Sequence, residues 1–407
     1  MNILSIGYTR ELLIDESKSD TKERMLYYSK LISKYYVIVH TLRKHCLKPK
    51  RITHNFEVIP SNGINRIHSF LNILRIGFSI CRREKIDIIQ AQDPVFTGLA
   101  GYILKMYFGI PLNVIVYGPN PYDKYWLSES WTSRILSFVS RCILNRANGI
   151  QVDGTKTSYI LSKNGIDPTK IYVKPMIPTD NKDFYEASGD VVRKKLLESE
   201  LKKMVLFVGR LEKQKNLSLY LEVIKGILVS GFENVLFVII GSGNESQKLK
   251  LLSHKLGINK NILWIPSVPR AEIPFYFAAC DVFVLPSLYE GFARVLMEAA
   301  MAGKPIVTTD VSGADEAVID GETGFIVEIN NKEQLKQKII TLLENENLAQ
   351  SMGKKAQTFM KSKYNPEAML LKQVEIWIDI ARRKNLTEKN QISTESKHET
   401  FNDNPKN

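Results

Sequence analysis

From its second residue the chain alternates short runs rich in Ile and Val with longer stretches in which apolar side chains return every third or fourth position. A short unbroken apolar run suits a strand buried on both faces, and the wider spacing suits a helix with one buried face. The pattern predicts strands at 3–6, 36–40, 56–59, 86–91, 113–117 and 149–152, with helices at 21–34, 66–83, 95–108, 127–146 and 154–163 between them. Strands that alternate with helices imply a doubly wound, parallel sheet.

A polar stretch at 178–190, containing Asn181, Lys182, Asp183, Ser188 and Gly189, interrupts the alternation and is expected to join two domains. The second series predicts strands at 205–208, 235–241, 261–265, 282–285, 305–308 and 324–327, with helices at 216–229, 245–256, 270–279, 292–302, 313–319, 332–343 and 347–361. The expected fold is therefore α/β, with Rossmann-like domains at 1–180 and 190–365 facing a central cleft. A helix over 366–384, with Leu370, Val374, Trp377 and Ile380 as its apolar positions, is expected to pack back toward the first domain. The polar tail, 385–407, has little to bury and is expected to be disordered.

A length of 407 residues agrees with two cores rather than one. No uncharged apolar run of about 18 residues occurs, and the N-terminus lacks the layout of a signal peptide, so a cytoplasmic protein is expected. Cys46, Cys81, Cys142 and Cys280 have neither paired nor metal-ligand spacing, which points to a reducing compartment and no metal site. The net charge of +13 is uneven: residues 1–189 carry 26 Lys and Arg against 16 Asp and Glu, and residues 190–407 carry 30 against 27. A basic first half suits an anionic partner. Neither a nucleic-acid motif nor a stripe of alternating aromatic and basic residues is present, so no nucleic acid is expected.

The chemistry concentrates at strand ends. Strand 282–285 runs into Pro286-Ser287, then Glu290-Gly291-Phe292, then a helix carrying Glu298. Eight residues return to nearly the same helical face, so two acids at that spacing on one helix address one ligand. Strand 205–208 ends in Gly209-Arg210, with Lys215 close behind, and strand 235–241 ends in Gly241-Ser242-Gly243. Arginine offers a two-pronged fork and lysine a point charge, a suitable pair for linked phosphates. The first strand is followed by Gly7 alone, without the Gly-x-Gly-x-x-Gly of dinucleotide binders, which argues against nicotinamide chemistry.

The segments VGRLEKQKN (208–216), GSGNES (241–246), FYFAACDVFVLPSLYEGFARVLMEAAMAGKPIVTTDVSGADEAV (275–318) and DGETGFIV (320–327) resemble the family 4 type of retaining glycosyltransferases, which have the GT-B fold. The resemblance covers the second domain almost throughout and the first only in layout. It implies transfer of a hexose-type sugar from a nucleotide-diphosphate donor, such as a UDP- or GDP-hexose, to a glycan or lipid-linked acceptor, with no resident cofactor or metal. Arg210 and Lys215 are then expected to neutralise the donor diphosphate, and Glu290 to hold hydroxyls of the donor sugar with the backbone of Gly291, Phe292 and Ala293. Glu298 is expected at the ribose, the N–H groups of Arg294 and Val295 at the phosphate, and Gly209, Gly241 and Gly243 beside the donor. Residues 265–268 occupy the place that frames the nucleobase.

In the first domain the resemblance points to Gly7 and Tyr117, the latter standing where a histidine is common. That domain offers no acid with a claim to be a nucleophile, which fits a front-side displacement. Two other readings share the fold. A sugar-nucleotide epimerase would need acids and a histidine poised in the first domain, and a non-catalytic nucleotide-sugar-binding subunit would be expected to lose Arg210 or Glu290. Finally, helices 67–83 and 125–146 mix arginines with large apolar residues. Most of these residues are expected to pack on the sheet, while the charge balance sides with a peripheral enzyme on the cytoplasmic face of an anionic membrane.

Overall fold

The computed structural model describes residues 1–14, 20–175, 182–197 and 202–399, with side chains to Lys384. The first sheet contains β1 (Asn2–Gly7), β2 (Lys34–Val39), β3 (Lys50–Thr53), β4 (Phe56–Pro60), β5 (Ile88–Ala91), β6 (Leu112–Val116), β7 (Gly149–Val152) and β8 (Ile171–Val173). Their order is β3-β4-β2-β1-β5-β6-β7-β8, parallel except for β3 against β4. The second sheet holds β9 (Lys203–Val208), β10 (Val235–Ile240), β11 (Ile262–Ile265), β12 (Val282–Leu285), β13 (Ile306–Thr309) and β14 (Gly324–Val327), all parallel, in the order β11-β10-β9-β12-β13-β14. The strand order reverses between β1 and β5 in one sheet and between β9 and β12 in the other. Such switch points open a crevice at the strands' carboxyl ends.

The central strands form because their apolar runs are unbroken: Val282, Phe283, Val284 and Leu285 of β12 are wholly buried. The edge strands β3 and β8 lie outside the predicted set. Neither has a fully buried residue, so neither carries the apolar run that marks its central neighbours.

The helices of the first domain are α1 (Asp20–Leu31), α2 (Arg66–Arg83), α3 (Phe96–Phe108), α4 (Lys124–Glu129), α5 (Trp131–Arg146) and α6 (Thr155–Lys163). The single helix expected at 127–146 is two, because the Ser130 side chain accepts the N–H of Ser133 and starts α5 afresh. Two short helices follow, α7 (Lys182–Glu186) and α8 (Asp190–Leu196). The stretch expected as a bare linker is therefore partly structured: Phe184 of α7 is buried in the second domain's core, its ring 5.9 Å from that of Phe277. Residues 176–181 lie outside the described residues.

The second domain adds α9 (Leu217–Val229), α10 (Ser246–Leu256), α11 (Ile273–Ala279), α12 (Arg294–Met301), α13 (Ala314–Ala317), α14 (Lys332–Glu344) and α15 (Glu346–Lys363). Good helix formers, RVLMEAAM, build α12, which Gly303 ends at φ +69°, two residues before Pro305.

The last helix, α16 (Pro366–Glu399), lies on the first sheet, not the second. Ser5, Gln90 and Asn113 stand in register across β1, β5 and β6 as a buried polar row. The Gln90 Oε1 accepts from Trp377 Nε1 at 2.6 Å, Gln373 Nε2 at 3.3 Å and Asn113 Nδ2 at 3.4 Å. Ile376, Trp377 and Ile380 are buried beside this row. The helix runs past its expected end at Lys384, since no Gly or Pro stands between Asn385 and Glu399 to stop it. The remainder of the predicted disordered tail, 400–407, lies outside the described residues.

Candidate active site

The loops after β9 and β12 are neighbours because their strands are, and hydrogen bonds bind them together. The Leu288 N–H donates to the Gln214 carbonyl at 2.8 Å, and Gln214 Nε2 donates to the Tyr289 carbonyl at 2.9 Å. From β13, Thr309 Oγ1 donates to the Ser287 carbonyl at 2.6 Å. This frame places Lys215 against Glu290, with Nζ 2.5 Å from Oε1. Ser287 Oγ donates to the same oxygen at 2.5 Å, and Gln214 Nε2 lies 3.2 Å from the other. Both charges are buried, so each is held in a medium where the pair matters far more than on a surface.

Arg210, at the same strand end, is exposed and makes no side-chain hydrogen bond or ion pair among the described residues. The site thus combines one neutralised cation and one uncommitted one. The neighbouring end of β10 carries no bulk at Gly241: at φ +147°, a Cβ would lie 1.9 Å from the Gly209 carbonyl oxygen. Gly243 is as tightly placed, 2.4 Å from the Leu211 carbonyl oxygen. These glycines serve the approach of two backbones rather than a plain turn.

Three expectations need correction. Glu290 and Glu298 do not share a helical face, because α12 begins at Arg294 and leaves Glu290 in the loop. Buried Glu298 instead takes Arg270, Nη2 to Oε1 at 2.8 Å, and the Arg270 guanidinium lies over the Phe184 ring at 5.4 Å. The Arg294 N–H is not a free donor, since it bonds the Phe292 carbonyl at 2.9 Å. Val295 follows in the same first turn, while the N–H groups of Gly291, Phe292 and Ala293 have no acceptor among the described residues. Gly7 is covered: a Cβ there would lie 2.0 Å from Oε1 of Gln92, which accepts the Tyr8 N–H at 2.9 Å.

The first domain meets this loop directly. A Cβ on Gly291 would lie 2.2 Å from the Tyr117 carbonyl oxygen, so the backbones of the two domains touch where the site opens. The Tyr117 side chain lines a cavity of about 150 Å³ with Thr9, Arg24, Tyr28, Tyr35 and Gln92. Burial, with Asp153 nearby, drives the Tyr117 hydroxyl well above the usual tyrosine range. Across the domains, Arg294 Nη2 lies 3.7 Å from Asp20 Oδ2, which also holds Arg24 at 3.1 Å.

Sequence reasoning missed Gln214, Ser287 and Arg270, residue types common in any turn. It also passed over Asp153, which follows β7 and is buried, with Oδ1 unpartnered among the described residues. Burial pushes its carboxyl up to about 8, against the pull of Lys174, Arg24 and Arg294. Beside it the domains are bolted together. Thr155 N–H donates to Glu316 Oε1 at 2.9 Å, Lys156 Nζ meets Asp310 Oδ1 at 2.5 Å, and Thr157 and Ser312 hydroxyls lie 2.5 Å apart.

The chain is similar in sequence and in fold to known glycosyltransferases. The family described as glycosyl transferases group 1 matches residues 190–359. An uncharacterized glycosyltransferase of Methanocaldococcus jannaschii is 32% identical over 325 residues, 76% of this chain and 79% of that protein. The N-acetylgalactosamine-N,N'-diacetylbacillosaminyl-diphospho-undecaprenol 4-alpha-N-acetylgalactosaminyltransferase of Campylobacter jejuni is 32% identical over 291 residues, 70% of this chain and 74% of that protein. Among solved structures, HepE of Anabaena in complex with UDP and glucose is similar with a TM-score of 0.70 and 19% identity, over 92% of this chain and 98% of that one. Two Rossmann-like domains meeting across a cleft, in this strand order, are the GT-B fold.

Proposed function

Because the chain belongs to the glycosyl transferases group 1 family, we propose that it moves a hexose-type sugar from a nucleoside-diphosphate donor to a hydroxyl of a glycan or lipid-linked acceptor, with retention of configuration. The observation that carries this reading is the buried Lys215–Glu290 pair beside the uncommitted Arg210, at the switch point of the second sheet. An incoming diphosphate supplies the negative charge that Arg210 lacks and competes for Lys215. Released from Lys215, the Glu290 carboxylate is an acceptor for sugar hydroxyls. Glu298, steadied by Arg270, serves the ribose in the same way.

In the step itself the bond from the sugar's anomeric carbon to the diphosphate oxygen breaks, and one to the acceptor oxygen forms on the same face. The acceptor's proton passes to the departing phosphate. The charge that grows on the leaving group is met by Arg210 and Lys215, cations drawn to the diphosphate when the donor binds. Activity is therefore expected to survive chelation of divalent metals. The relatives' names fit a role in building a polysaccharide or glycolipid at the cell surface, since that of the Campylobacter protein includes a diphospho-undecaprenol.

The test is incubation with UDP-, GDP- and ADP-sugars and a panel of glycan and lipid-linked acceptors. Release of free nucleoside diphosphate with a product of unchanged anomeric configuration by NMR supports the reading. An inverted product removes retention, and an altered sugar still attached to its nucleotide points to epimerisation instead.

A further inference from the structure

From Trp131 to Ser140, helix α5 is built inside out. It buries Ser133, Ser137 and Ser140, and it exposes Trp131, Ile135, Leu136 and Phe138. A helix that only covers a sheet does the reverse. Its layer neighbours repeat the arrangement: α2 buries Ser69 and Gly77 and exposes Ile67 and Leu71, while α3 buries Thr97, Gly98 and Gly101 and exposes Leu99. Small residues let the three helices pack closely, Gly77 against Leu104 and Gly98 against Ile143, which leaves large side chains on the outside. Ile67 is 74% exposed, Trp131 72% and Phe138 68%. The expectation that such residues pack on the sheet holds for Ile73, Ile80, Ile143 and Leu144 but not for these.

The charge on the same face has one sign. The three helices contain eight Arg and Lys and no Asp or Glu, so they favour an anionic partner along their whole length. Each helix starts at the carboxyl end of its sheet, beside the cleft; the exposed Ile67, Leu71, Leu99, Trp131, Ile135 and Phe138 fall in the leading halves, and Met106 and Tyr107 extend the exposed apolar surface to the far end of α3. We infer that this face docks on an anionic lipid bilayer, with the apolar side chains entering the headgroup layer and the arginines meeting lipid phosphates. Large apolar residues among cations, with a Trp at the rim, are the composition such a surface selects.

A second copy of the chain is disfavoured, because a face pairing with itself would set arginine against arginine. Nucleic acid is disfavoured because the face interleaves its cations with the exposed aliphatic Ile67, Leu71, Ile135 and Leu136, which a polar, charged partner would leave uncovered. No helix of the described residues is long and apolar enough to cross a membrane, so the contact is with a surface. The inference is independent of the transfer chemistry, and binding tests it without any donor or acceptor.

The experiment is co-sedimentation of the full chain with vesicles of phosphatidylcholine, with and without phosphatidylglycerol. Binding to the anionic vesicles at low salt, released by added salt, is expected. The double substitution Trp131→Ser, Phe138→Ser should leave the melting temperature unchanged and weaken binding at least about tenfold. On another helix, Arg75→Glu, Arg82→Glu, Arg83→Glu should weaken it at least about tenfold. The inference fails if the chain ignores anionic vesicles at low salt, or if both sets of substitutions leave binding unchanged. It also fails if the lipid-free chain is a dimer that Trp131→Ser, Phe138→Ser converts to a monomer, or if the same substitutions abolish binding to single-stranded nucleic acid but not to vesicles.

Discussion

Lys215 and Glu290 neutralise each other, 2.5 Å apart and both buried. Removing one member of such a pair strands the other, at a cost of about 3–5 kcal/mol. Lys215→Met is therefore expected to lower stability by that order and the transfer rate by at least about a hundredfold. Glu290→Gln keeps an acceptor for Lys215 and should cost less stability for a similar loss of rate. Urea unfolding and the initial rate of nucleoside-diphosphate release measure the two effects. A Lys215→Met variant with full activity would reduce the pair to a structural role.

Gly291→Ala tests the contact between the domains. Its Cβ would sit 2.2 Å from the Tyr117 carbonyl oxygen, so the two loops must part. Overpacking of this kind costs about 1–3 kcal/mol. The expected result is a fall in kcat of at least about tenfold, with calorimetric affinity for the free nucleoside diphosphate within about twofold of the parent. Unchanged kcat would mean that the cleft works in a more open state than the one described.

Glu316 ties the domains in a pH-dependent way. Burial raises its pKa, but Tyr364, Lys363 and the Thr155 N–H outweigh burial and hold the carboxyl below its usual range. The folded chain therefore releases this proton more readily than the unfolded one. Its contribution is complete above the ordinary glutamate range and is lost as pH falls through the depressed value. Glu316→Gln should lower the melting temperature at pH 7 and change it much less at pH 3.

Asp153 has the opposite sign. With its carboxyl pushed up to about 8, the folded chain keeps a proton that the unfolded chain has already released. Stability then falls as pH rises from about 4, the ordinary aspartate value, toward about 8. Asp153→Asn should remove that decline, stabilising the protein at pH 8 and changing little at pH 4. Equal effects at the two pH values would contradict this account.

The sequence made the central strands legible because parallel strands buried on both faces need unbroken apolar runs. It hid β3 and β8, where an edge strand needs none. Lys215 and Glu290 were legible as residue types at the ends of strands. Their bond to each other was not, since the two residues stand 75 apart in the chain and meet only because β9 and β12 are adjacent in the sheet. The alignment of Glu290 with Glu298 failed on a boundary, because Gly291, Phe292 and Ala293 separate Glu290 from the start of α12. In α5 the apolar positions were plain but their direction was not: whether serines or large side chains face the sheet is decided by how closely neighbouring helices approach.

The placement of α16 makes the first domain discontinuous in the chain. During synthesis the second domain, through Lys363, is complete before the first has received the helix that covers Gln90 and supplies two of its donors. Until Trp377 is made, the first sheet waits with a polar row uncovered, and a chain stopped at residue 365 would contain every strand of both sheets and still lack a finished first domain.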